Sequence, residues 1–187
     1  MQTSFEIVDN TNIKGEKDEL EYFLPDYLND SLLSKINDPD PIPTCWNVKD
    51  CSRDLKVDDN LLSVRYNGNR IAAAVRANYP IPEETGIYYF EVNVLDGGNG
   101  DLISVGIATL DFPLARHVGW DPGSRGYHGD DGLKFLERGF GIEYGNACSF
   151  EPYETLYPAI GMRSQNARVE ANFGNRPFKF DIKVYIK

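Results

Sequence analysis

At 187 residues, 41% of them hydrophobic and 12% aromatic, the chain is long enough for one cored domain with an appendage and too apolar for wholesale disorder. A formal net charge of −10 argues against a nucleic-acid binder, since neutralising phosphates takes clustered Lys and Arg. No apolar run approaches the roughly 18 residues of a membrane-spanning helix.

The acidity belongs to one end. Residues 1–40 hold ten carboxylates against three lysines, or −7 of the −10. Residues 1–18 read as a solvated acidic tail, with neither the basic stretch nor the apolar stretch of a secretory signal. Leu28, Leu32 and Ile36 recur every four residues after Pro25, which predicts one short amphipathic helix. Asp38-Pro39-Asp40-Pro41-Ile42-Pro43 then forces extended backbone, because each proline disfavours helix in its predecessor. A boundary follows, giving an arm over 1–41 and a folded domain over 42–187.

Beyond the linker the period changes from helix to strand. Short strands are predicted at 61–66, 72–77, 86–94 and 102–108, and again at 155–162, 168–172 and 179–187. In the third, Tyr88, Phe90, Val92 and Val94 alternate onto one face. Short strands between turn-rich loops, with almost no helical pattern after residue 40, indicate an all-β antiparallel sandwich. Cys45, Cys51 and Cys148 are odd in number and lack a framework spacing, so reduced thiols in the cytosol or nucleus are expected. The run from Gly119 to Gly132 gathers five glycines, a proline, His128 and the carboxylates Asp121, Asp130 and Asp131. It is too polar and glycine-broken for a helix or a central strand and is read as a structured loop.

Several of these segments together resemble one family. Val75-Arg76-Ala77-Asn78-Tyr79-Pro80-Ile81-Pro82, Gly86-Ile87-Tyr88-Tyr89-Phe90-Glu91-Val92 and Val105-Gly106-Ile107-Ala108 are similar to consecutive strands of a SPRY domain. Gly119-Trp120-Asp121, Gly126-Tyr127-His128-Gly129-Asp130-Asp131-Gly132, Leu156-Tyr157-Pro158-Ala159-Ile160-Gly161, Ala171-Asn172-Phe173-Gly174 and the entry segment Pro43-Thr44-Cys45-Trp46-Asn47 resemble its RanBPM-like subgroup. The resemblance covers roughly 42–183 and implies a SPRY-type bent antiparallel β-sandwich without catalytic activity. Such a domain presents loops from one end to proteins or short peptides. In that subgroup the module belongs to scaffold subunits of GID/CTLH-type ubiquitin ligases. The family's scaffolds continue into LisH, CTLH and CRA helical modules that this sequence, up to Lys187, does not contain, so assembly through them is not implied. Between Gly145 and the Leu156-Tyr157-Pro158 strand the chain is also short by roughly 25 residues, the length of two strands with their connections. Two strands interior to the family fold are therefore expected to be missing.

The expected partner surface comprises the loops at 76–82, 109–118 and 120–132. Its contact candidates are Arg76, Phe112, Leu114, Arg116, His117, Tyr127, His128, Asp130 and Asp131. Arg76 has two readings, an internal ion pair with Asp130 or Asp131 and a contact with an acidic peptide residue. Trp120 is read as a packing wedge. His128 with Asp130 and Asp131 would suit acid–base chemistry, giving a hydrolase as the least favoured alternative. A carbohydrate-binding lectin-like sandwich using Asp130, Asp131 and Tyr127 is the other. The carboxylates do not follow EF-hand spacing, and His117 and His128 lack a further ligand at zinc spacing, so no metal or cofactor is expected.

Overall fold

A computed structural model describes residues 3–7, 40–69, 72–82, 88–136, 141–142 and 155–181. In chain order its strands are β1 (Thr3–Ile7), β2 (Trp46–Cys51), β3 (Leu55–Val57), β4 (Ser63–Tyr66), β5 (Ala73–Ala77), β6 (Tyr88–Asp96), β7 (Ile103–Ala108), β8 (Ser124–His128), β9 (Lys134–Leu136), β10 (Gly141–Ile142), β11 (Tyr157–Met162) and β12 (Arg168–Asn172). They form two antiparallel sheets, β1-β6-β12-β4-β3 and β10-β9-β8-β7-β11-β5-β2. Among the described residues there is no helix.

Strand alternation assigns each side chain to a layer. Val64, Tyr66, Phe90, Val92, Val169 and Ala171 of the five-stranded sheet meet Trp46, Val75, Ile103, Val105, Ile160 and Met162 of the other in one buried cluster. Phe173 locks the two layers: its ring stacks on Phe90 at 5.7 Å and takes the edge of Trp46 at 5.0 Å. Trp46 Nε1 donates to Leu62 O at 2.9 Å, so the indole is buried with its one polar atom satisfied.

Six of the seven predicted strands form where the alternation places them. The seventh does not: Lys179–Asp181 has no strand conformation, and 182–187 lies outside the described residues. Glu91 explains the path of this segment. Its buried carboxylate accepts from the Lys179 N–H at 2.7 Å, the Phe180 N–H at 3.1 Å and the Tyr89 hydroxyl at 3.0 Å. Phe178 meets the Tyr89 ring edge-on at 4.7 Å. The C-terminal stretch is thus bonded to a side chain instead of a ladder.

Two other expectations are revised. The Gly119–Gly132 run is not loop throughout, since β8 lies inside it and pairs with β7 on one side and β9 on the other. The first residues are not simply a solvated tail, since β1 pairs with β6 from Thr3↔Val92 to Ile7↔Tyr88. The helix expected after Pro25 lies outside the described residues, as does nearly all of the shortened stretch before Tyr157.

Glu91→Leu should strand several buried donors at once. We expect a loss of about 2–4 kcal/mol in urea unfolding and faster proteolysis after residue 172, with Glu91→Gln costing less.

Candidate partner-binding site

The outer face of the seven-stranded sheet is built from small residues. Ala74, Ser104, Gly106, Ala108, Ser124, Gly126, Ala159 and Gly161 all point away from the main core and are buried. What covers them is the backbone of the loop between β7 and β8. A Cβ on Gly126 would sit 2.5 Å from Val118 O, and one on Gly161 would sit 2.9 Å from Val118 N. Glycine at these strand positions therefore lets a loop lie flat against a sheet. Phe112, Val118 and half-buried Leu114 complete a second apolar cluster there with Ala74, Ala108 and Ala159.

Arg76 fastens this loop. Its side chain is 3% exposed and emerges from β5 on the same outer face. Nε and Nη2 grip both oxygens of Asp50 at 2.6 and 2.8 Å, while Nη1 donates to Thr109 O at 2.8 Å and Phe112 O at 2.9 Å. A bidentate carboxylate and two carbonyls meet the donors of this buried guanidinium. The neighbouring Cys51 thiol has its pKa pushed up to about 11 by burial and then by the Asp50 charge, so it stays protonated and unreactive.

Further along the loop, Thr109 N–H donates to Gly123 O at 2.8 Å, and the Thr109 hydroxyl donates to Asp111, which lowers that carboxyl's pKa. Gly119 N–H donates to Ser124 Oγ at 2.8 Å, which in turn donates to Asp121 O. His117 and His128 lie under the loop with ring centroids 5.3 Å apart. His128 stacks on Phe135 at 3.9 Å, and its Nε2 donates to Val118 O at 2.9 Å, which fixes the proton on that nitrogen. Ser104 Oγ lies 3.3 Å from His117 Nδ1. Burial is the main cause holding both imidazoles neutral. It brings His117 down to about 4, helped by the His128 and Arg163 charges, and it lowers His128 against the opposing pull of Val118 O, Asp130 and Asp131.

The loop thereby presents a fixed apolar surface. Leu110 is 64% exposed, and Trp120 is 43% exposed on one face while the other stacks over His128 at 6.2 Å. Arg116 reaches Asp121 at 3.7 Å across the solvent side. Exposed Tyr79 follows β5 at the same end of the sheet, where Arg76 pairs with Ala159 and, two residues further along β11, Tyr157, Ala108 and Ser124 lie across from one another.

The nine sequence-stated contact candidates therefore separate. Arg76, Phe112, His117 and His128 are buried and support the loop, offering no surface of their own in this conformation. Arg76 pairs with Asp50 and not with Asp130 or Asp131. Leu114 is half-buried in the second cluster and Arg116 is exposed. Asp130 and Asp131 lie beyond the far end of β8, where Gly129 N–H bonds to Ile103 O. Five strand residues at about 3.3 Å each put them roughly 15 Å from the Leu110 end. Tyr127 faces the gap between the sheets with Val105 and Ile103. The expected three-loop surface thus divides between two ends of one strand. His128 and the two aspartates make no hydrogen bond to one another; Asp131 instead accepts from Leu133 N–H at 2.9 Å. Leu110, Trp120 and Tyr79 were not among the candidates. The available signal was large apolar residues in segments too broken by Gly, Pro and Asp to bury them.

The two-layer antiparallel sandwich matches the fold of a known SPRY domain. A human SPRY domain crystal structure superposes with a TM-score of 0.57 at 24% identity, covering 67% of this chain and 98% of that one. Residues 87–151 match the SPRY domain family. The chain is 35% identical over 184 residues to the Ran-binding proteins 9/10 homolog of Drosophila melanogaster, covering 80% of this chain and 19% of that protein. It is 34% identical over 180 residues to human Ran-binding protein 9 (79% and 25%), and 31% identical over 186 residues to the Ran-binding protein M homolog of Arabidopsis thaliana (81% and 40%). This is a SPRY-domain chain of the RanBPM-like kind, homologous to Ran-binding proteins 9 and 10. It spans about a fifth to two fifths of the length of those curated relatives.

Two outcomes follow from the buried cations and imidazoles. Arg76→Met should cost about 3–5 kcal/mol, because Asp50 and two loop carbonyls lose their donors together, and amide exchange should accelerate at 109–114. Both histidines have folded pKa values below the unfolded 6.5, so the unfolded chain binds more protons as pH falls. Stability should be full above about pH 6.5 and should fall toward pH 4.5 by up to about 1.4 kcal/mol per unit from His117 alone. Urea midpoints against pH should show a shallower acid limb in His117→Gln.

Proposed function

We propose that this chain is a non-enzymatic binding module that takes a protein or short peptide on the surface formed by 78–82 and 109–123. The observation that carries this reading is the pair of exposed apolar side chains, Leu110 and Trp120, on a loop whose backbone is pinned by Arg76, Thr109 and Ser124. A large exposed ring held in place loses little conformational entropy when it is covered, which is what an interface anchor requires. Arg116, with its loose contact to Asp121, supplies an adjustable polar rim. Homology to Ran-binding proteins 9 and 10 supports a protein-interaction role. Recruitment or scaffolding for a ubiquitin ligase, in the cytosol or nucleus, rests on the family resemblance alone.

Selection of a random peptide library on the immobilised, folded chain tests this. Recovered peptides should lose at least tenfold in affinity for Trp120→Ala and for Leu110→Ser, and should bind Asp130→Asn unchanged. Peptides indifferent to both apolar changes would place recognition elsewhere.

A further inference from the structure

A second apolar surface lies at the other end of β8, between the sheets. Val92 and Val94 of β6 face Ile103 and Val105 of β7 and Tyr127 of β8 across a groove of about 280 Å³, closed at its end by Asp101 and Gly129. Its walls are the continuation of the main core. Val92, Ile103 and Val105 are buried, but Val94, which points the same way, is 37% exposed. The alternation of β6 continues past the point where the core ends, so Val94 is a core-facing residue lacking a cover among the described residues.

The backbone beside it is also open to a partner. On one edge, β6 pairs with β12 as far as Asp96. On the other, β1 pairs only from Tyr88 to Val92. Asn93–Asp96 extends four residues beyond that ladder among the described residues. β1 also demonstrates that this edge accepts an antiparallel strand in a defined register. A partly unladdered edge beside an apolar groove is the arrangement used in β-strand addition, in which main-chain bonds give affinity and alternate side chains fill pockets.

Charge selects the occupant. Asp96 and Asp101 flank the groove, and Asp130 and Asp131 follow Gly129 at its rim, all exposed; Lys134, across from Tyr127 in the β8–β9 ladder, is one cation near them. Four carboxylates against Lys134 and Arg168, the latter across from Asp96 in the β6–β12 ladder and reaching Asp58, leave the rim net negative and favour a cationic strand. We propose that the β6 edge at Asn93–Asp96, with the groove behind it, binds an extended segment of a partner protein that runs antiparallel to β6. Its alternate β-branched side chains would enter the groove against Val94 and Val105, and Lys or Arg would flank them opposite Asp96 and Asp101. This site is separate from the Leu110–Trp120 surface and does not depend on it.

A defined probe is acetyl-Lys-Thr-Val-Thr-Val-Lys-amide, titrated into the full chain by NMR. Resonances of Val92, Val94, Ile103 and Val105 should shift together with a dissociation constant below 1 mM, while those of Leu110 and Trp120 stay fixed. Val94→Lys fills and charges the groove from an exposed position, so its urea curve should match the parent while affinity falls at least tenfold. Asp101→Asn should weaken binding about threefold, as should replacing both peptide lysines with glutamate. N-methylating the valines, which removes their ladder donors, should abolish binding. The proposal fails if the four valine and isoleucine resonances do not move up to 1 mM, if the glutamate peptide binds equally, or if Val94→Lys binds like the parent. Peptide binding only after residues 1–9 are deleted would assign the groove to the chain's own N-terminal segment instead. A concentration-dependent dimer abolished by Val94→Lys would assign it to a second copy.

Discussion

A guanidinium can be left inside a protein only where its N–H groups are met, and Arg76 meets that condition by reaching three separate parts of the chain. It leaves β5, grips Asp50 at the end of β2, and caps the carbonyls of Thr109 and Phe112 in the β7–β8 loop. Each of these groups depends on the others. Without the loop carbonyls Nη1 would be buried unsatisfied, and without Arg76 those carbonyls would face a hydrocarbon floor. The outer layer of the domain is therefore fixed by one cation as much as by its small apolar cluster.

The two faces of the seven-stranded sheet consequently do different work. The inner face carries Val75, Ile103, Val105, Ile160 and Met162 and builds the sandwich by burying area against the five-stranded sheet. The outer face carries alanine, serine and glycine, buries little area per residue, and seats a backbone instead of side chains. Polar anchoring takes over where apolar area is small. Arg76 provides it for the β7–β8 loop and Glu91 for the C-terminal segment, each a buried charge meeting main-chain partners. A rigid loop on a rigid sheet is what lets Leu110 and Trp120 remain exposed in a fixed position.

Much of the sandwich was legible from period-two alternation, because residues such as Tyr88, Phe90 and Val92 must all face one layer if any does. β8 was not legible. Its Gly126 reads as a strand breaker by composition, yet it is required there because Val118 O lies against it. The C-terminal stretch failed in the opposite direction: Phe178 and Phe180 suggest alternation, but a buried carboxylate outcompetes any ladder for the N–H groups of Lys179 and Phe180. Arg76 was read as an ion-pairing residue, correctly in kind, with its partner 26 positions upstream at Asp50 instead of in the glycine-rich run.

The Gly119–Gly132 run shows where the division falls. By itself the sequence determined that this stretch was structured, that it belonged to a SPRY-like pattern, and which residue types were available for recognition. Tertiary structure alone decided which of them face solvent. β8 runs through the segment and carries Asp130 and Asp131 beyond its end, while His128 turns under the loop with the half-exposed Trp120 ring stacked over it. Side-chain chemistry is local and can be read residue by residue. Exposure depends on what a distant part of the chain lays over each residue, and here that cover is the backbone of His117 and Val118.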